Sequence, residues 1–180
     1  MIFFIETERL ILRDLLPTDA DGMFELDSNA DVHRYLGNNP IKTIEETQKI
    51  IENTHQQYLE NGIGRWATIE KSSGNFIGWS GLKFVKVTES GHTNYYDVGY
   101  RFIPQYWGKG YATESAKAAL KYGFTELNLD EIIGTANVEN IKSRRILEKC
   151  GLKFVEHYMW KDIKCDWLKI TKEEWAKLNG

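Results

Sequence analysis

The residues best placed to do chemistry lie in one short run, Gln105-Tyr106-Trp107-Gly108-Lys109-Gly110-Tyr111-Ala112-Thr113. Two glycines stand in it two positions apart, and an amphipathic segment follows at once. Ala112, Ala116, Ala119, Leu120 and Phe124 recur at helical spacing, with Glu114, Lys117 and Lys121 on another face. A helix that begins straight after glycines leaves its first N–H groups free and turns its positive dipole end into the loop. That is an anion site, and it suits phosphate. Gly108 and Gly110 have no Cβ, so backbone there can come close to a ligand. Two familiar phosphate patterns fail. A P-loop needs Lys-Ser/Thr after its last glycine, and Tyr111-Ala112 stands there. The dinucleotide pattern G-x-G-x-x-G would place its third glycine at Thr113 and lacks the surrounding βαβ run. The spacing that fits is Q/R-x-x-G-x-G/A, carried by Gln105, Gly108 and Gly110.

The elements that must hold this loop are readable from local signals. Before it, Val98, Tyr100 and Phe102 alternate with Gly99 and Arg101, a strand that Pro104 ends by removing an N–H and biasing Ile103 to extended geometry. Upstream, Arg9 to Asp14 reads as a strand. Leu16 to Asp19 reads as a turn into a helix carrying Met23, Phe24 and Leu26, and Asp31 to Leu36 as a further short helical piece. Thr43-Ile44-Glu45-Glu46 has the form of a capping box, opening a helix with Ile44, Ile51, Tyr58 and Leu59 on its apolar side and Gly62 and Gly64 at its end. Arg65 to Glu70 and Phe76 to Val85 read as strands joined by a Ser-Ser-Gly-Asn turn. Downstream, a strand is predicted at Glu131 to Ala136. A helix follows from Asn140 to Cys150, with Asn140 at its cap and Gly151 at its C′ position. Strands follow at Leu152 to His157 and Asp166 to Ile170, then a last helix capped by Thr171. The fold class is α+β with a mixed, mostly antiparallel sheet flanked by helices. No repeat or linker interrupts residues 1–180, so one domain is expected.

Bulk properties narrow the partners. A net charge of −3 gives no electrostatic support for nucleic-acid or membrane binding. Cys150 and Cys165 have neither metal nor redox spacing and read as buried reduced thiols, and no metal is expected. The apolar start of the chain is too short for a signal peptide and no stretch reaches membrane-span length, so a cytoplasmic protein is expected.

The Gln105 to Gly110 stretch resembles the acetyl-CoA-binding signature of the GNAT N-acetyltransferases, and the predicted element order is similar to the GNAT fold. Glu8-Arg9-Leu10-Ile11-Leu12-Arg13, Gly110-Tyr111-Ala112-Thr113-Glu114 and Asn137 to Leu152 resemble the RimJ/RimL branch, the N-terminal acetyltransferases of ribosomal proteins and their relatives. The resemblance implies direct transfer of acetyl from acetyl-CoA to an amine, on a peptide N-terminus or a small molecule, with a homodimer as one assembly state. It implies a pyrophosphate cradle in the backbone from Gln105 to Ala112, with Lys109 and the Thr113 hydroxyl beside it. The backbone of Phe102 and Ile103 and the amide of Asn140 are implied contacts of the pantetheine arm. An α-amine with a pKa of about 7.7–8 needs only a weak base, and Asp97 is the candidate carboxylate. Many members protonate the leaving thiolate with a tyrosine four residues before the glycine that closes the last helix, but Leu147 stands there. The branch pattern offers Ser143 as a hydrogen-bond donor instead. For the acceptor pocket, Trp66, Trp79, Tyr95, Tyr96 and the loop near Trp160 are expected to supply an aromatic, weakly charged wall. His33, His55, His92 and His157 have no partners in sequence and read as structural or surface. The departure at Leu147 keeps a second reading open, a non-catalytic acyl-CoA-binding module of the same fold.

Overall fold

Local capping and hydrophobic alternation set the elements. The computed structural model describes residues 4–180, and the Met1–Phe3 portion of the apolar start lies outside them. Strands β1 (Phe4–Glu6) and β2 (Leu10–Arg13) are followed by a 3-10 turn at Pro17–Asp19, α1 (Ala20–Asp27), α2 (Ala30–His33) and α3 (Ile44–Asn61). Then come β3 (Trp66–Glu70), β4 (Phe76–Val85), β5 (Tyr95–Phe102), α4 (Tyr111–Thr125), β6 (Glu131–Asn137), α5 (Ile141–Lys149), β7 (Lys153–Trp160), β8 (Ile163–Thr171) and α6 (Lys172–Asn179). The Thr43–Glu46 and Thr171–Glu174 capping boxes both close, and Asn140 accepts from the Ser143 N–H. Two differences from the sequence reading have local causes. Leu59 is 82% exposed, because the buried stripe of α3 runs through Thr47, Ile51 and Thr54 toward Tyr58, and Leu59 lies a further ~100° round the helix. The three-residue β1 is too short to show any period.

The strands form one sheet in the order β1-β2-β3-β4-β5-β6-β8-β7, antiparallel throughout except where β5 runs parallel to β6. One face packs under α4 and α5. Its core includes Trp66, Leu82, Val98, Leu120, Phe124, Ile132, Leu147 and Leu168, with Tyr100 at its margin. The other face packs under α1 and α3 through Met23, Leu26, Ile51 and Ala67, with Trp79 against them. The α4 and α5 helices begin at the same end of the sheet, where β5 and β6 finish. β5 and β6 share a single register pair, Asp97 with Ile133. Past it, toward those helix starts, the two strands form no further pair among the described residues.

Candidate active site

The glycine loop occupies the end of β5. A 3-10 turn at Pro104–Tyr106 leads into Trp107 to Gly110, and α4 follows. Gly108 and Gly110 have φ of +75° and +84°, a region L side chains rarely adopt. Among the described residues no side chain caps the start of α4. The helix therefore opens with unpaired N–H groups, as an anion site requires. Gln105, Gly108, Lys109 and Gly110 are exposed, Ala112 and Thr113 are half-buried, and Tyr111 is buried.

The loop is held from below by the other end of the chain. The Glu114 carboxylate accepts from the Thr7 hydroxyl (2.6 Å), the Arg9 N–H (2.9 Å) and the Arg9 Nε (2.7 Å). The Arg9 guanidinium also donates to the Lys109 carbonyl at 2.8 Å and lies over the Tyr111 ring. Tyr111 in turn donates to Glu70 at 2.5 Å. Burial opposes ionisation of Glu114, but Thr7 and Arg9 together hold its pKa below the usual carboxylate value. The Arg9–Leu10 and Gly110–Glu114 stretches, separated by about a hundred residues, are thus one physical unit. Its output is a fixed Lys109 peptide, and so a fixed direction for the N–H groups that follow.

Between β5 and β6 lies an open strand edge. The Ile103 N–H donates to the Ile77 carbonyl at 3.0 Å, on the β4 side. Antiparallel pairing alternates direction along a strand, so the backbone groups of Tyr100 and Phe102 turn toward β6 instead. Of these, the Phe102 carbonyl accepts from the Trp107 indole at 2.6 Å. On the far side of the gap, the Asn140 Oδ1 accepts from the Ser143 N–H at 3.2 Å, leaving its amide nitrogen without a partner among the described residues. The Ser143 hydroxyl is 3.3 Å from the Tyr100 hydroxyl, which also donates to the Ser143 carbonyl at 2.8 Å. Leu147, one turn on, is 1% exposed and part of the core.

The opposite face of β5 carries Asp97, which is bound by Arg65. Burial pushes the Asp97 carboxyl up, and Arg65 partly offsets this. Its Oδ1 is buried without a hydrogen-bond partner among the described residues. The Arg65 and Arg101 guanidiniums lie over the Trp79 ring, and Arg101 donates to Asp27 at 2.6 Å. His33, 3.7 Å from Asp27, is held toward its neutral form by burial and by Arg101. A cavity of about 140 Å³ opens beneath α1 and α3, lined by Met23, Asp27, Thr54, Arg65, Trp79 and Arg101 among others. This wall carries two ion pairs, so it is more charged than the aromatic residues alone suggest. Trp66 and Tyr96 are not on it. They lie on the α4 face, against Tyr122 and Phe84. A larger groove of about 590 Å³, lined by His92, Tyr95, Ile133 and Trp167 among others, lies at the end of β5 away from the glycine loop.

Residues 9–153 match the acetyltransferase (GNAT) domain family. The chain belongs to the GNAT acetyltransferase family. It is 30% identical to the uncharacterized N-acetyltransferase YoaA of Bacillus subtilis, over 90% of this chain and 91% of that one. It is also 30% identical to a spermidine N(1)-acetyltransferase of Vibrio cholerae, over 82% of this chain and 80% of that one. A GNAT acetyltransferase crystal structure from Bacillus anthracis superposes with a TM-score of 0.78 at 29% identity, covering 95% of this chain and 99% of the other. The GNAT fold and an acyl-transfer enzyme are thereby established for this chain.

GNAT enzymes draw their acetyl group from acetyl-CoA, and the residues present fit such a donor. An uncapped helix start behind two positive-φ glycines suits a pyrophosphate, and the open edge at Tyr100 and Phe102 suits an amide-bearing arm. Sequence reasoning missed three contributors in this GNAT site: the Arg9–Glu114 clamp, the Arg65 partner of Asp97, and the Tyr100 hydroxyl at Ser143. The Glu8–Arg13 signature held the first of these in plain view, without its partner.

Proposed function

We propose that this chain transfers the acetyl group of acetyl-CoA to a primary amine, on a small molecule or a peptide N-terminus, as a RimJ/RimL-like enzyme. On this reading residues 1–180 act as one catalytic domain in the cytoplasm, and no helix among the described residues is long and apolar enough to cross a membrane. The observation that carries the reading is the uncapped start of α4, behind Gly108 and Gly110, at the end of a strand whose edge lies open. When bound, acetyl-CoA supplies an acetyl group already activated as a thioester.

The chain's own residues then have these roles. The N–H groups around Gly108 to Thr113 hold the pyrophosphate, with Gln105 and Lys109 at its rim. The Tyr100 and Phe102 backbone orients the arm in the gap, with Ile103 fixing the strand end against β4 and the Asn140 amide reaching from the far side. A strand N–H at this edge faces the thioester oxygen as charge develops there. Asp97 takes the proton of the attacking amine, and burial raises its basicity toward the working pH. Ser143 donates a hydrogen bond to the departing sulfur. The spermidine acetyltransferase relative favours small amines in the acceptor panel, and the two ion pairs around Trp79 favour a polar acceptor. The test is thiol release from acetyl-CoA against polyamines, amino sugars and short peptides with free N-termini, beside calorimetric titration of acetyl-CoA, ATP and NAD. Micromolar acetyl-CoA binding with turnover on at least one amine is the expected result. Tight binding with no turnover on any amine would make the chain a non-catalytic module, and equally tight ATP or NAD binding would remove the cradle reading.

A further inference from the structure

We propose that Tyr100 is a positioning residue for the leaving group: its hydroxyl locks the first turn of α5 against β5 and aims the Ser143 hydroxyl into the gap. This rests on the reading of Ser143 given above and adds the group that makes it effective. A lone serine hydroxyl rotates freely and satisfies itself on nearby backbone, which makes it a poor fixed donor. Here the Tyr100 hydroxyl sits 3.3 Å from Ser143 Oγ and 2.8 Å from the Ser143 carbonyl, so it touches the same residue at two points. Burial pushes the Tyr100 pKa up, with Ser143 partly opposing, so the phenol keeps its proton and remains a donor throughout the working range. A phenylalanine ring would fill the same margin of the α4-side core, where Tyr100 packs. The hydroxyl therefore adds something that packing does not require.

The phenol proton goes to the Ser143 carbonyl, which fixes the Ser143 backbone, and the Ser143 O–H turns from the phenol oxygen beside it to the sulfur as charge develops there. A serine whose backbone is held in this way needs less reorganisation as the charge develops, so it is a better donor than a freely rotating serine. As the acceptor nitrogen bonds to the acetyl carbon, the carbon–sulfur bond breaks and its electron pair goes to sulfur. The Ser143 hydroxyl, held in place through Tyr100, offsets that charge by hydrogen bonding. Ser143 keeps its proton, and the thiolate takes one from water after departure. Leu147, one turn along α5, is apolar and buried and contributes nothing polar here.

The experiment is a double-mutant cycle on Tyr100→Phe and Ser143→Ala, with kcat and KM measured on one good acceptor and folding checked by circular dichroism and melting. Tyr100→Phe should lower kcat roughly tenfold while the acetyl-CoA KM moves less than about threefold, since the contact is made mainly as charge develops. Ser143→Ala should lower kcat by roughly one to two orders of magnitude, and adding Tyr100→Phe to it should cost nothing more. Binding gives a readout independent of turnover. Wild type should prefer CoA over desulfo-CoA increasingly as pH rises from 7 to 9, because a bound thiolate is stabilised, and Tyr100→Phe should flatten that rise. Additive losses in the cycle, or an unchanged kcat in folded Tyr100→Phe, would overturn the proposal. An unaffected Ser143→Ala beside a damaged Tyr100→Phe would remove the Ser143 reading as well. A flat CoA preference in wild type would also count against both.

Discussion

Glu114→Ala tests the clamp beneath the glycine loop. In the wild type one carboxylate takes the Thr7 hydroxyl, the Arg9 N–H and the Arg9 guanidinium. Losing the first two costs about 1 kcal/mol each. The ion pair adds less than about 1 kcal/mol, because the Arg9 side chain is 42% exposed and water screens it. The sum is about 2–3 kcal/mol. For a chain of this size each kcal/mol moves the melting temperature about 2–4 °C, so a drop of about 5–10 °C is expected. The folded Glu114 pKa lies below the ordinary value of 4.5, so its contribution is complete above that value and fades as pH falls through the depressed one. The stability gap between wild type and variant should therefore be flat from neutral pH down to about 5 and narrow in more acidic solution. Freed from Glu114, Arg9 holds the Lys109 carbonyl less firmly, and the acetyl-CoA KM should rise roughly three- to tenfold with kcat within about twofold. Urea titrations at several pH values and steady-state kinetics read both effects. Coincident unfolding midpoints for wild type and variant would show that the clamp holds nothing, and an unchanged KM would show that it does not shape the loop.

Three further outcomes are expected. Gly110→Val forces a branched residue to φ near +84° and places its Cβ 3.3 Å from the Arg9 guanidinium. The acetyl-CoA KM should rise while the fold survives, and normal cofactor affinity would mean that the loop is not the cradle. Leu147→Ala opens a cavity in a fully packed core and should cost about 2.5–5 kcal/mol of stability in chemical denaturation, with kcat per folded molecule nearly unchanged. Asp97→Asn should lower kcat/KM at least tenfold and abolish its acid limb, because the raised carboxyl is no longer there to titrate. Survival of that limb in the variant would point to another base.

What could be read from sequence was what is local. The Thr43 and Thr171 capping boxes, the Asn140 cap, Gly151 and the strand–glycine–helix joint all announce themselves within a few residues, and each stands where expected. The face chosen by each aromatic was not readable. Trp66 pairs with Ser80 and Ala67 with Trp79, so Trp66 and Trp79 point to opposite sides of the sheet. That depends on a register set across two strands with an irregularity at Thr68/Ile69. Partners distant in sequence were hidden for the same reason. Nothing near Asp97 in the chain suggests Arg65, nothing near Glu114 suggests Arg9, and nothing near Ser143 suggests a phenol arriving from β5.

The single register pair between β5 and β6 makes the sheet two ladders that meet at a seam. β1 to β5 form a run of neighbouring antiparallel strands, and β6, β8 and β7 form another. Across the seam the helices and the Asp97–Ile133 pair bear the load that a full row of backbone bonds carries elsewhere. A ligand lying along that edge with amides of its own acts as a missing strand. The amide protons of Tyr100 and Phe102 should then exchange with solvent quickly in the free protein and slowly once the edge is filled. Resistance to heat and proteolysis should likewise follow ligand concentration, rising by mass action once the dissociation constant is exceeded. In a cell, the lifetime of this protein would then depend on the supply of the molecule that closes its seam.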